Sequence, residues 1–432
     1  MTSIWSNRRY VSWLVSDTAK GVSSGLFGFA VPLLALIITD DPVQAGVIGA
    51  VGMGTRVALM LFGGVLADRH RRVTLMVLGA VIGVVLSAAF TLLALGDALT
   101  FGTLLTVDAL LAARTALLDV AGESLLKDIV APETMGRAQA ANRARDAALE
   151  LAGGPVGGTL LAIGGWLIGV VMTACHLVSA VAAWLIPRLR GPVATDAPAA
   201  PRPPVDGAAP RTHALREIRD GLSWLFSRTD LRGVLFISTI INLGINTATT
   251  TVIYALQQDG YSPAVIGWVG AAMGAGMLLG ALFAGWAVSR IGAGVIMLIT
   301  LVVLTAGAGA LALVHSPVAI VAVFLPAALL LAPVNAALGG YQMVATPTEL
   351  IGRVSSASGV FALGAMPLAP LIAGFGLAHL GRGGAILIGA GLCAAAALLG
   401  AGNRGLRSLP AESGWAEHAA QFEVAAPSAS VS

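Results

Sequence analysis

The sequence predicts an all-α membrane protein, with twelve transmembrane helices in two pseudo-symmetric six-helix halves. Three observations carry this. Of 432 residues, 57% are hydrophobic and 11% charged, and the mean hydropathy is +0.87, more apolar surface than a soluble core can hide. Runs long enough to cross about 30 Å of hydrocarbon begin near Val11, Gln44, Val73, Phe101, Gln139, Gly164, Arg232, Ser262, Gly292, Val318, Ser355 and Gly383. The two halves also echo one another. GGVLADRHRR at 63–72 returns as AGWAVSRIGA at 284–293, and Gly46/Gly267, Gly49/Gly270, Gly64/Gly285 and Arg69/Arg290 each stand 221 positions apart. Ala131-Pro132-Glu133 before Gly136-Arg137 returns as Pro347-Thr348-Glu349 before Gly352-Arg353 at an offset of 216, as a small deletion between the motifs would produce.

Taken in order, residues 1–190 form the first six-helix half. Its first span is long, carries Asp17 and Lys20 and lacks a small-x-small cleavage site, so it reads as a span and not as a signal peptide. The second span ends on glycines and then on Asp68, Arg69, Arg71 and Arg72 at the water-facing edge. Residues 191–230 form a cytoplasmic linker: 191–211 is too rich in Pro and Ala to bury a core, and Leu215, Ile218, Leu222 and Leu225 recur at the spacing of a short interfacial helix. Residues 231–402 form the second half. The stretch 403–432, polar and rich in small residues, reads as a disordered cytoplasmic tail. The 54 glycines suit helices that pack closely in lipid. Cys175 and Cys393 both sit in apolar runs and imply core packing, with no disulfide framework.

Arginine placement sets the orientation. With both termini cytoplasmic, the inner segments hold Arg8, Arg9, Arg69, Arg71, Arg72, Lys127 and thirteen further arginines, while the outer ones hold Arg382 alone. The net charge of +3 is therefore topogenic, and no nucleic-acid partner is expected. The expected location is the cell membrane, with both termini inside and the bilayer as partner. Only two lysines against heavy use of Arg, Ala and Gly suggest a GC-rich bacterium.

Ionisable side chains inside spans cost several kcal/mol unless paired or wet, so each is a functional candidate. They concentrate in the first half: Asp17 and Lys20 in span one, Arg56 in span two, Asp108, Arg114, Asp119 and Glu123 in span four, and Arg143, Arg145, Asp146 and Glu150 in span five. At about 1.5 Å rise per residue in antiparallel helices, depth pairs Glu123 with Arg143, Asp119 with Arg145, and Arg114 with Glu150. A group that loses and regains a proton needs a buried carboxylate with a movable partner. Asp17, Glu150, Asp119 and Asp146, with Arg114 as the tuning charge, are therefore the proton-coupling candidates; the alternative is a set of static structural pairs. Asn242, Asn246 and Thr249 in span seven and Asn335 in span ten are candidates for substrate contact, or else for interhelical hydrogen bonds. Pro155 removes a backbone donor and predicts a kink, and the surrounding glycines predict close approach of a neighbouring helix, for gating or for packing alone.

The chain resembles the major facilitator superfamily over residues 8–402. Gly64, Asp68, Arg69 and Arg72 match that family's G-x-x-x-D-R-x-G-R-R/K loop motif, with Arg71 in place of its second glycine, and Ser289-Arg290 is the weaker echo. GGPVGG at 153–158, with Gly154, Pro155, Gly157 and Gly158, is similar to the span-five motif of drug:proton antiporters. Phe29-Ala30-x-Pro32-Leu33-Leu34-Ala35-Leu36 and Glu217-Ile218-x-x-Gly221-Leu222 resemble the branch with macrolide, tetracycline-like and siderophore exporters. The resemblance implies that Asp68 latches the halves on the inner side against the start of span eleven at Ser355 and Ser356; the alternative is that it only fixes topology.

H-E-x-x-H, G-x-x-x-x-G-K-[ST] and zinc-like cysteine spacings are all missing, so no enzyme, metal or cofactor is expected. The reading is a monomeric secondary transporter, a proton-coupled exporter of drug-like or natural-product small molecules. A nutrient importer or facilitator, or a non-transporting sensor, are the alternatives.

Overall fold

The computed structural model describes residues 4–188, 221–347 and 350–422. Among these residues the regular structure is helical, with no strand. The first part holds α1 (Arg8–Thr39), α2 (Pro42–Arg69), α3 (Arg72–Leu95), α4 (Phe101–Leu118), α5 (Val120–Ile129), α6 (Pro132–Ile163) and α7 (Gly165–Leu185). The second holds α8 (Thr229–Gln258), α9 (Pro263–Arg290), α10 (Ala293–Leu311), α11 (Pro317–Ala345), α12 (Ile351–Gly364), α13 (Leu368–Gly402), and the short α14 (Arg404–Arg407) and α15 (Trp415–Ala420).

Among the described residues, nine stretches are long and apolar enough to cross a bilayer. The last, 357–402, passes Gly381, whose φ of 67° is non-helical, so two spans follow one another there. Two more helical stretches complete the expected twelve: α4 with α5, interrupted at Asp119, and α6, whose first half is rich in charge.

Helix starts follow local chemistry. Asn7 accepts the amides of Arg9 and Tyr10; Asp41 accepts that of Val43 just before Pro42; Thr100 and Thr103 form a reciprocal capping box; and Ser316 caps α11 before Pro317. Each cap satisfies amides that the first helical turn leaves unpaired, for about 1 kcal/mol.

Most starts lie within a few residues of the apolar runs. Span five is the exception: hydropathy places it near Gln139, but α6 begins at Pro132. A proline preset for the first helical turn starts the helix in the aqueous phase, and its charged turns extend the apolar run. Span eleven likewise begins at Ile351, so positions 355 and 356 lie in its second turn.

The chain divides into two compact units. In the first, α1 packs on α6 and α7, α3 on α7, and α2 on α4. This unit also takes in 250–274 and 370–381. Tyr10, Trp13, Leu125, Leu126 and Ile129 form a core where α1 and α5 meet, and Trp13 Nε1 donates to the Gly122 carbonyl at 2.8 Å. The second unit comprises the described residues of 205–249, 275–369 and 382–432.

One expectation is corrected in the second unit. Residues 403–422 are not a disordered tail: α14, a 3-10 turn at Glu412–Gly414 and α15 fold back onto α10 and α11. Trp415 and Ala419 are buried with Leu235, Ala337 and Tyr341, and Trp415 fills the space beside Gly340. A polar, alanine-rich sequence hides this, because a single aromatic anchor, Trp415, rather than a periodic stripe docks it. Residues 423–432 and 189–220, the latter including most of the expected linker 191–230, lie outside the described residues; of the expected interfacial helix, 221–227 is helical, with Trp224 and Leu225 buried.

Candidate functional site

The charges of the first unit's spans converge. Asp17 on α1 stands about 14 Å along its helix, at 1.5 Å per residue, and receives Lys20 Nζ at 2.8 Å and Arg145 Nη2 at 2.8 Å. Lys20 also lies 3.9 Å from Asp119, and Arg114 Nη2 donates to Asp119 Oδ1 at 2.9 Å. Arg145 closes the other end on Asp146 at 2.7 Å. A chain of alternating sign therefore runs Arg114, Asp119, Lys20, Asp17, Arg145, Asp146 across α1, α4 and α6.

Three cations balance three carboxylates, which is how such groups are carried inside apolar helices. Trp13 lies under the Arg145 guanidinium, 5.8 Å from its ring centre, and adds a cation–π contact. Arg145 Nη1 is buried with no hydrogen-bond partner among the described residues, leaving the network one spare donor.

The expected depth pairs are corrected by this geometry. Arg114 does not reach Glu150: its Nε donates to the Gly79 carbonyl of α3 at 2.8 Å, and its Nη2 folds back to Asp119 at the α4–α5 break. Arg145 pairs with Asp17 and Asp146 in place of Asp119. Glu123 and Arg143 are exposed, with no ion pair between them. Glu150 is exposed and joins none of these pairs. Depth was legible from the sequence, but helix rotation was not, because the break at Asp119 turns α5 out of register with α4.

Asp108 is the intramembrane carboxylate that sequence reasoning left without a role. It is half-buried, stands against Gly52 of α2, and forms no hydrogen bond or ion pair among the described residues. His176 on α7 is also central: its Nδ1 lies 3.1 Å from both Ser23 and Ser87 hydroxyls and 3.0 Å from the Met172 carbonyl. A histidine in an apolar run offered no periodic signal.

The loop motif is partly described. Arg72 Nη1 donates to Asp128 at 2.6 Å and to the Ser124 carbonyl at 3.0 Å, tying the start of α3 to α5. Arg69 is exposed and Gly64 half-buried. The side chains of Asp68, Ser355 and Ser356 lie outside the described residues. In the echo, Ser289 donates to the Trp286 carbonyl of its own helix at 3.0 Å, and Arg290 ends α9 exposed.

The span-five glycines meet α9 directly. Gly154 and Gly267 face backbone to backbone, and Gly158 stands against the Pro263 carbonyl, with no room for a side chain at any of the three. Gly157 faces Phe29 of α1. α6 runs as one helix through Pro155.

The substrate-contact candidates belong to α8 and α11. Asn242 and Asn246 use their amide nitrogens on the carbonyls of Ser238 and Asn242, at 2.7 and 2.8 Å. Their side-chain oxygens stay available. Asn242 and Asn335 are exposed, and Thr249 is half-buried. A cavity of about 290 Å³ between α11 and α12, lined by Gln342, Thr346, Val354 and Ser358 among others, contains none of them.

Comparison with known proteins places this architecture. A family-wide sequence profile, the Major Facilitator Superfamily, matches residues 18–228 and 234–423. The chain belongs to the major facilitator superfamily. This superfamily member is a multi-pass membrane protein of a transporter family. It is 29% identical over 297 residues to the enterobactin exporter EntS of Shigella dysenteriae serotype 1 (strain Sd197), covering 65% of this chain and 64% of that relative. The same figures hold for EntS of Escherichia coli O127:H6 (strain E2348/69 / EPEC). The match thus spans less than two thirds of these curated relatives' length. Among solved structures, a bacterial homologue of the iron transporter ferroportin in an inward-facing state aligns with TM-score 0.68 at 13% identity, over 93% of this chain and 99% of that one. A D-xylose–proton symporter aligns with TM-score 0.64 at 14% identity, over 92% and 97%. At such identities the likeness speaks to fold alone.

Proposed function

We propose that this superfamily member is a secondary active exporter that moves a natural-product small molecule of siderophore type outward in exchange for protons, by alternating access. The observation that carries the reading is the six-charge network across α1, α4 and α6, screened from solvent except at its exposed Asp146 end. Such a network is expensive in apolar helices and forms only where its geometry is held, and curated relatives 29% identical over 297 residues are named as exporters.

In this reading Asp17, Asp119 and Asp146 share their cations so fully that neutralising one strands a neighbour; with Arg114, Lys20 and Arg145 they lock α1, α4 and α6 into one body. Both termini face the cytoplasm, following the arginine asymmetry. The glycine contacts of α6 with α9 form a seam near the other face, and Asp68 latches the inner side. Asn242, Asn246, Thr249 and Asn335 supply neutral hydrogen-bonding groups for the substrate.

The test uses everted membrane vesicles from cells with and without the protein, energised by respiration and offered enterobactin, a macrolide and a lipophilic cation. Accumulation that depends on the protein and collapses with a protonophore is expected for enterobactin first. Accumulation of none of the three, with protein present in the membrane, would remove the substrate class.

A further inference from the structure

The six-charge network leaves the exchange reading without a group free to take up a proton, and Asp108 fills that place. It lies on α4 against Gly52 of α2, about 15 Å from the start of α2 at 1.5 Å per residue, near the middle of a bilayer-spanning helix. No hydrogen bond or ion pair among the described residues holds its carboxylate.

No cation of the surrounding helices pairs with it among the described residues. On α1 the inward charges are Asp17 and Lys20, already joined. On α2 it is Arg56, exposed one turn beyond Gly52, with Asp68 and Arg69 at the far end. α3 carries only Arg72 at its first residue, bound to Asp128. On α4 itself Arg114 turns to Asp119, and on α5 Glu123 and Lys127 lie beyond the break. An ionised carboxylate in that setting costs several kcal/mol unless water reaches it, whereas a protonated one costs far less. Asp108 is thus a two-state group whose charge follows its access to water.

Its position says what would change that access. One face of α2 carries Gly46, Gly49 and Gly52 at three-residue spacing. Gly46 stands against the Pro370 carbonyl and Gly374, and Gly49 against the Pro370 ring, with no space for a side chain at Gly46 or Gly374. Gly52, the next in the row, stands against Asp108. The carboxylate thus lies on the neighbouring α4, less than two turns further along α2 than the place where α2 and residues 370–374 touch through backbone.

We propose that Asp108 is the coupling-proton site: a proton binds its carboxylate oxygen when the α2–370–374 seam is open and leaves to the other side once the seam has closed. The site rests on the exchange reading for its purpose, but not for its detection.

The experiment is infrared difference spectroscopy of the purified full chain in lipid, titrated in pH, alongside proton-gradient-driven enterobactin flux in liposomes. A titrating carboxylic-acid C=O band is expected in the wild type and in Asp17→Asn, lost in Asp108→Asn, and restored at a shifted frequency in Asp108→Glu. Gly52→Ala, whose methyl meets the carboxylate, should shift the band without removing it. Thermal midpoints confirm that each variant is folded. Gradient-driven flux is expected to disappear in Asp108→Asn and return in part with Glu. A titrating band that persists in folded Asp108→Asn, or gradient-driven flux that survives there, overturns the site and leaves the exchange reading standing. Wild-type flux indifferent to the proton gradient overturns the exchange reading instead, and with it the coupling role.

Discussion

At the residue scale, the first unit separates two kinds of intramembrane carboxylate. Asp17 is held by two cations at 2.8 Å each, and Asp17→Asn leaves Lys20 and Arg145 short of charge in a buried place. Breaking one partner of a buried pair typically costs about 3 kcal/mol or more, so a thermal midpoint in detergent lowered by several degrees is expected. Glu150 is exposed and unpaired with the network, and Glu150→Gln is expected to move the midpoint within about 0.5 kcal/mol of wild type and to leave transport intact. Equal effects of the two substitutions would contradict the network as drawn. The sequence shows which residues are charged and roughly how deep they lie, since depth is only a count along a helix. It does not show which face each presents, and the pairs among Arg114, Asp119, Arg145 and Glu150 depend on that rotation.

At the scale of elements, the helices and their glycine faces were readable because hydropathy, caps and repeats all point the same way. Gly154 and Gly158 of α6 meet Gly267 and Pro263 of α9 backbone to backbone. Gly158→Val is expected to overpack the contact by about 1–3 kcal/mol and to hold the seam apart. Cysteine labelling at Ala264, in a chain freed of Cys175 and Cys393, should then become faster; unchanged labelling would show that the contact does not govern access. The C-terminal segment was not readable. Trp415 is buried under α11, and the Arg228 guanidinium, paired with Asp230 at 2.8 Å, also donates to the Ala419 carbonyl at 3.2 Å, while the Tyr341 hydroxyl donates to Asp230 at 2.6 Å. These contacts bring together residues nearly two hundred positions apart, which no local pattern signals. Trp415→Ala is expected to cost about 3 kcal/mol, seen as a lower thermal midpoint; a midpoint unchanged within error would mean that 403–422 adds nothing to the second unit.

At the scale of the whole molecule, membership of the superfamily supplies the transporter architecture, and the uneven distribution of charge gives this member its character. The first unit holds the linked charges and the solitary Asp108, while the spans of the second carry neutral asparagines and threonines and keep their ionised pair, Arg228 with Asp230, at the start of α8. In the proposed exchange, ion coupling falls to one half and substrate recognition to the other, so both must face the same side in turn. The claim is tested most directly with purified protein in liposomes under an imposed proton gradient, following enterobactin and internal pH in the same sample. Substrate is expected to move opposite to protons, with pH changing only when substrate is present. Substrate moving with the proton, or moving with no proton at all, would contradict it.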